Sequence, residues 1–232
     1  MILIYRYELI PLARLNARAG EGARRGALLN VDGGYADVHP WPELGDASLD
    51  EHLALLARGE TTALTAQSLR AAAVDAAARR AGRSLFDGLK VPRSHWPAAA
   101  GEAPAAFDTI KVKMPGRDLP STGRLRLDFN ATLDAGVFAA LAPTLPRDRI
   151  DFVEDPCPYD PATWRELRDR TGLRLALDRE IALEGVDVLV IKPAIQDVEG
   201  LASDDREIVV TSYMDHPVGQ LHAAAVAARV AP

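Results

Sequence analysis

The chain has 232 residues, with 27 Lys+Arg against 33 Asp+Glu and a formal net charge of −6; 48% of its residues are hydrophobic and 26% charged, as in folded globular proteins. One cysteine, Cys157, excludes an internal disulfide, and an acidic balance without basic clusters speaks against nucleic-acid binding. No apolar run reaches the roughly 18 residues of a membrane span, and the opening MILIYRYELIPL, broken by Arg6, Glu8 and Pro11, is unlike a signal peptide, so a cytoplasmic enzyme or binding protein is expected.

The first elements are strand-like: Ile2–Leu9 and Arg25–Val31 carry β-branched or long apolar residues. Between them Ala17–Gly26 has no periodicity and reads as a mobile loop. Val31–Asp46, dense in turn formers and aromatics, reads as a second loop. Ser48 and Glu51 form a capping box that opens a helix with Leu49, Leu53 and Leu56 on one face, stopped at Gly59. A second helix, alanine-rich, is expected over about 62–81 and ends at Gly82.

From Phe107 onward short apolar strands appear, most ending in a charge: TIKVKM, LRLDFN, IDFVEDP, LRLALDRE, VDVLVIKP and EIVVTSYMD. Asp134–Leu141 reads as a short helix. Asp160-Pro161 supplies an N-cap and first helical position for ATWRELRDRT, with Gly172 just past its end. Alternating strands and helices predict a parallel sheet with crossovers. Charges recurring at strand C-termini mark a barrel with its site on that face. An open doubly wound sheet has the same order, but its glycine-rich phosphate loop is absent. The division expected is an α+β capping or lid domain over 1–92 and a catalytic barrel over 93–232.

Within these strands, Lys111 and Lys113 are two apart, so their side chains project to one face. On a buried face two ammonium groups are costly, and the expected consequence is a lowered pKa that supplies a neutral amine as base. The same K-x-K also fits a solvated edge strand. Asp128, Glu154 and Asp178 each end a different strand, and three converging carboxylates need a cation; oxygen donors alone suit Mg²⁺. Taken singly, each reads better as a helix N-cap; the three at matching strand positions are what point to a metal. Lys192, in an apolar strand, is either a snorkelling lysine or a cation facing those carboxylates.

The ordered set K-x-K, D-x-N, V-E-D-P, L-D-R-E and I-K-P resembles the enolase superfamily in its muconate-lactonising subgroup. The runs GALLNVDGGYADVHPWPELGD and TSYMDHPVGQLH resemble the o-succinylbenzoate synthase branch of it. That resemblance implies an N-terminal capping domain on a (β/α)₇β-type barrel. It implies Mg²⁺ held by Asp128, Glu154 and Asp178, with Lys113 as general base, Lys111 beside it, and Lys192 on the opposite substrate face. It implies substrate contacts from Asn130, Arg126, Thr211, Ser212 and His216, and lid segments at Ala17–Gly26 and Tyr35–Asp46. The implied activity is dehydration of a cyclohexadiene carboxylate in menaquinone synthesis. Sister reactions, N-acylamino-acid racemisation or dipeptide epimerisation, share the same first step, and a catalytically silent ligand-binding relative is a third reading.

The spacings depart from the family pattern. Lys113 and Asp128 are 15 residues apart and Asp178 and Lys192 are 14, against 26 and 24 for the two intervals between. A barrel of about 250 residues in eight units uses about 31 for each. PGRDLPSTGR, with two prolines and two glycines, cannot form a crossover helix, and after GQLHAAAVAARV no further strand follows. A reduced barrel with missing helices is expected, and its exposed strand edges invite association of copies.

Overall fold

The computed structural model describes residues 1–11, 22–114, 116, 118–178, 180–181, 184–198 and 206–230. In chain order the elements are β1 (Ile2–Leu9), β2 (Arg24–Val31), β3 (Gly34–Val38), α1 (Leu49–Ala57), α2 (Ala63–Arg80), β4 (Trp96–Pro97), β5 (Thr109–Lys113), β6 (Arg124–Asp128), α3 (Ala135–Leu141), β7 (Ile150–Glu154), α4 (Pro161–Thr171), β8 (Leu175–Asp178), β9 (Val188–Ile191), β10 (Glu207–Val210) and α5 (Pro217–Val230). They fall into two compact units. The first draws on 1–92, 191–204 and 210–232, the second on 93–190 and 205–209.

The first unit is built on an antiparallel sheet in the order β1-β2-β3. Asp32 and Gly33 have φ of 51° and 88°, and Val31 pairs with Gly34. This is the two-residue hairpin with positive φ at both positions that Asp-Gly favours. Val31–Asp46 is therefore not one loop, as the sequence reading had it: its turn formers belong to the hairpin, and Gly34–Val38 is a strand. Ala27, Leu29, Ala36 and Val38 are fully buried; Ala27, Leu29 and Val38 cluster with Leu49, Leu53, Leu56 and Leu64 of the two helices. A Cβ on Gly34 would lie 2.0 Å from the Ala72 carbonyl oxygen of α2, so only glycine permits this approach. The predicted capping box starts α1, with Glu51 Oε2 accepting from the Ser48 N–H at 2.8 Å. Trp41 is fully buried and donates from Nε1 to the Tyr213 carbonyl at 2.7 Å, which ties down the segment after β3. Ala17–Gly26 lies partly outside the described residues; Arg24–Gly26 are in β2.

A polar cluster lies inside the same unit. The Tyr7 hydroxyl donates to Asp37 Oδ1 at 2.7 Å and sits 2.9 Å from His39 Nδ1, and Asp37 Oδ2 accepts the His216 N–H at 3.0 Å. Burial raises the Asp37 carboxyl to about 7, with Asp215 adding repulsion, against the hydrogen bonds from Tyr7 and His216. Burial likewise raises Asp215 to about 6 and lowers His39 to about 4.

The second unit carries a seven-stranded sheet in the order β10-β9-β8-β7-β6-β5-β4, with neighbouring pairs parallel from β4 through β9. Leu175, Ala176, Val188, Leu189 and Val190 have no exposed surface, the continuous apolar runs of strands buried on both faces, whereas β6 alternates, with Arg126 between the buried Leu125 and Leu127. Crossovers over α3 and α4 are conventional. Asp160 caps α4 by accepting the Thr163 N–H at 2.8 Å, and Gly172, at φ 63°, ends it. Between β5 and β6 no helix is described, as the prolines and glycines of that stretch require. The Arg149 guanidinium instead binds the carbonyls of Pro120, Thr122 and Gly123 at 2.7 to 3.1 Å, so the short connection is held by one side chain. After β10 the last described element is α5. No described helix is long and apolar enough to cross a membrane.

The raised Asp37 carboxyl makes a test of the first unit. A folded-state pKa of about 7, against about 3.9 in the unfolded chain, gives a stabilisation complete below pH 4 and lost as pH rises through 7. Comparison with Asp37→Asn cancels the opposing His39 contribution to first order. Urea unfolding between pH 4 and 8 should show the parent losing stability relative to the variant as pH rises; a pH-independent difference would contradict the assigned burial.

Candidate active site

The site is assembled by strand register. Lys113 pairs with Asp128 across β5 and β6, and Asp128 with Glu154 across β6 and β7. In a parallel sheet, residues in register share a face, so these three groups stand side by side at the C-terminal edge. Lys111, two residues earlier on the same face, reaches Asp128 and Glu154 with its ammonium. Its ammonium lies 2.6 Å from both Glu154 carboxylate oxygens and 2.9 Å from Asp128 Oδ2. Lys113 donates to the same Asp128 oxygen and to Asn130 Oδ1 at 3.2 Å. Asp128 and Glu154 side chains are 2% exposed, Lys111 14% and Lys113 32%. The outermost member, Lys113, is thus the one reachable by a molecule at the strand ends.

Burial opposes charging of Lys111, but Asp128, Glu154 and Asp178 outweigh it and hold the ammonium above the ordinary lysine range. For Lys111 this reverses the lowered pKa expected from the K-x-K spacing, because its ammonium lies against two carboxylates. Asp128 is also buried, yet both lysines pull its carboxyl below the ordinary range. Burial pushes Glu154 up, aided by Asp128 and Asp178 and resisted by Lys111.

The turns after β6 and β7 are tightly interlocked. Asn130, Ala131 and Asp155 have φ of 51°, 54° and 45°, a left-handed conformation that costs a non-glycine residue about 1–2 kcal/mol and clusters at functional sites. Asp128 Oδ1 accepts the Asn130 N–H at 3.0 Å, and the Glu154 carbonyl accepts the Phe129 N–H at 3.0 Å. The carboxylate-bearing strand ends are thereby fixed to one another through the backbone.

Comparison with known proteins gives this arrangement its context. The family model for the N-terminal domain of O-succinylbenzoate synthase matches residues 2–78. An o-succinylbenzoate synthase of Bdellovibrio bacteriovorus is 38% identical, over 95% of this chain and 78% of its own length. The chain belongs to the o-succinylbenzoate synthase family. Among solved structures, a dipeptide epimerase from Enterococcus faecalis with Mg and the dipeptide L-Leu-L-Tyr has a TM-score of 0.79 at 15% identity, covering 98% of this chain and 86% of its own. The o-succinylbenzoate synthase of Thermosynechococcus elongatus, complexed with Mg in the active site, has a TM-score of 0.63 at 20% identity, covering 98% and 88%. At such identities these likenesses show the fold: a small antiparallel N-terminal domain with a reduced parallel barrel of the enolase-superfamily type.

For this synthase-family chain, the structure brings Lys111, Lys113, Asp128, Asn130 and Glu154 together in the second unit. Asp178 ends the next strand, but Glu154 is level with Ala176, so Asp178 stands two residues further along. Among the described residues no three acidic, histidine or cysteine side chains are clustered to hold a metal ion as placed; the Lys111 ammonium is the cation that Asp128 and Glu154 share. The donor chemistry nonetheless fits a hard divalent ion, because Asp128, Glu154 and Asp178 offer only carboxylate oxygens. Arg126 shares the sheet level of Lys111. Its guanidinium binds Asp151 at 2.9 Å and approaches His95 Nδ1 at 3.2 Å, so it is engaged within the protein.

The remaining residues singled out in the sequence lie in the first unit. Lys192 follows β9 directly and is buried, its N–H donating to Gln196 Oε1 at 2.6 Å. Thr211 donates from its backbone to the Ile191 carbonyl, while its buried hydroxyl meets no hydrogen-bond partner among the described residues. Ser212 is half-buried. The ring of His216 packs on Tyr7 with centroids 4.9 Å apart, and its Nδ1 accepts the Val218 N–H at the start of α5. Sequence reasoning gave no role to His95 or Asp155; for Asp155 the only available signal was its place in V-E-D-P.

Lys111 neutralises two buried carboxylates, so Lys111→Met should be severe. Leaving a buried charge without its partner costs about 3–5 kcal/mol. Urea unfolding in EDTA should show that loss, and a change under ~1 kcal/mol, as for an exposed ion pair, would contradict the described site.

Proposed function

We propose that the chain is an o-succinylbenzoate synthase, a hydro-lyase that dehydrates 2-succinyl-6-hydroxy-2,4-cyclohexadiene-1-carboxylate to 2-succinylbenzoate in cytoplasmic menaquinone biosynthesis. Residues 93–232 are proposed as its catalytic barrel and 1–92 as its lid. The observation that carries this reading is the Lys111–Lys113 pair seated on Asp128 and Glu154 in a chain 38% identical to an o-succinylbenzoate synthase. Asp128, Glu154 and Asp178 are proposed to hold Mg²⁺. The charge balance supports this: with Lys113 acting as a neutral amine, the Lys111 ammonium and a divalent ion would together balance the three carboxylates, leaving no net negative charge to repel a carboxylate substrate. Bound Mg²⁺ would supply Lewis-acid stabilisation of negative charge on the substrate carboxylate.

Lys113 is the base in its neutral amine form. It takes the proton α to the substrate carboxylate, and the electron pair delocalises into that carboxylate as an enediolate. The Asn130 amide oxygen, which accepts from Lys113, keeps the amine aimed along the sheet edge. The pair then returns to the ring as the neighbouring C–O bond breaks. Lys113 gives its proton to the departing hydroxyl, so water leaves and the ring becomes aromatic. One residue serves as base and then acid, in keeping with loss of proton and hydroxyl from one face. Lys192 is proposed as the second cation near the developing charge on the strength of the I-K-P pattern. The same pattern proposes Arg126, Thr211, Ser212 and His216 as substrate contacts.

Turnover of the cyclohexadiene substrate should raise aromatic absorbance, stop with EDTA and return with Mg²⁺. Lys113→Ala should lower kcat by about 10²–10⁴-fold, the range for a lost acid–base group, with an unchanged circular dichroism spectrum. Near-parental turnover in that variant would overturn the base assignment. Exchange of the α-proton of N-acylamino acids or dipeptides in deuterated water, without dehydration, would replace the synthase reading with an epimerase.

A further inference from the structure

Asp155 adjoins the site without belonging to the residues assigned above. Its backbone is left-handed at φ 45° although it is not glycine, and three bonds hold it there. Its N–H donates to the Ala176 carbonyl at 3.0 Å, its carbonyl accepts the Ala131 N–H at 2.8 Å, and its Oδ1 accepts the Asp178 N–H at 3.1 Å. One residue therefore links the C-terminal ends of β6, β7 and β8. The first two bonds are main-chain and survive any non-proline substitution. The third depends on the side chain, and it grips the residue that ends β8.

That grip bears on the level difference between the carboxylates. Glu154 is in register with Ala176, so Asp178 begins two residues beyond the level of Asp128 and Glu154. Its placement against them depends on how the end of β8 is oriented. The Asp155 carboxyl, one residue after Glu154, holds the Asp178 amide on the β7 side, while Val190 of β9 pairs with Asp178 on the other. A small hard cation demands near-ideal octahedral geometry, so such orientation matters more for Mg²⁺ than for a permissive ion.

We infer that Asp155 is a positioning residue that sets Asp178 relative to Glu154 and Asp128 through its hydrogen bond to the Asp178 amide, and so tunes divalent-cation affinity. The inference rests on the proposed metal site but not on the identity of the organic substrate.

Two variants isolate the bond. Asp155→Gly tolerates the left-handed backbone and removes only the carboxyl; Asp155→Asn keeps an acceptor at the same place. Manganese alone, titrated without substrate and followed by electron paramagnetic resonance, measures the site. Loss of a group orienting a ligand typically weakens metal affinity about 10–100-fold. That loss is expected for Asp155→Gly, whereas Asp155→Asn should bind as the parent does. Amide exchange by NMR should show faster exchange at Asp178 in the glycine variant, with the Leu29 amide unchanged. Should Asp155→Gly not fold, Asp155→Ala is read in the same way. Parental manganese affinity in the variant lacking the carboxyl, or an unchanged Asp178 amide, would overturn the positioning role alone. A parent protein that binds no manganese would overturn the metal site and this inference together.

Discussion

The chemistry of this fold depends on compensation of buried charge. Asp128 and Glu154 are almost fully buried side by side, and without a cation their repulsion and desolvation would oppose folding. Lys111 meets that demand, touching both carboxylates. Because the lysine is itself buried, the two carboxylates stabilise its charged form while it offsets their mutual repulsion. Any divalent ion bound by these carboxylates must compete with that ammonium, which couples metal occupancy to the position of Lys111.

The scaffold keeps this array in place by register rather than by local sequence. Lys113, Asp128 and Glu154 come from three strands whose only shared property is their level in the sheet. The left-handed turns at Asn130, Ala131 and Asp155 then interlock neighbouring strand ends through main-chain bonds. Where the usual crossover helix is missing, Arg149 gathers three loop carbonyls and preserves the parallel pairing of β5 with β6. A shortened barrel can thus lose connections and still hold the edge on which the lysines and carboxylates stand.

Much of this was legible in the sequence, for physical reasons that differ by element. β7 and β8 are apolar-rich strands closed by a charge, and Asp160-Pro161 with Gly172 marks α4 by its caps; the two-residue β4, Trp96–Pro97, carries no such pattern. β3 was hidden because its flanking Asp32-Gly33 and the aromatics after it have the composition of a loop, while of its inward residues, Gly34, Ala36 and Val38, only Val38 is a typical strand former. The protonation of Lys111 was misjudged because its partner Glu154 is 43 residues away and appears only when the strands are aligned. Asp155 carried no sign of its left-handed backbone, which no composition encodes.

The central claim is that Asp128, Glu154 and Asp178 share one divalent cation at the strand ends. Anomalous scattering from crystals grown with manganese tests it most directly. The account predicts a single strong peak within about 2.0–2.2 Å of a carboxylate oxygen from each of the three, with the Lys111 ammonium displaced from between Asp128 and Glu154. A peak elsewhere, or none while Lys111 still bridges those two carboxylates, would contradict it.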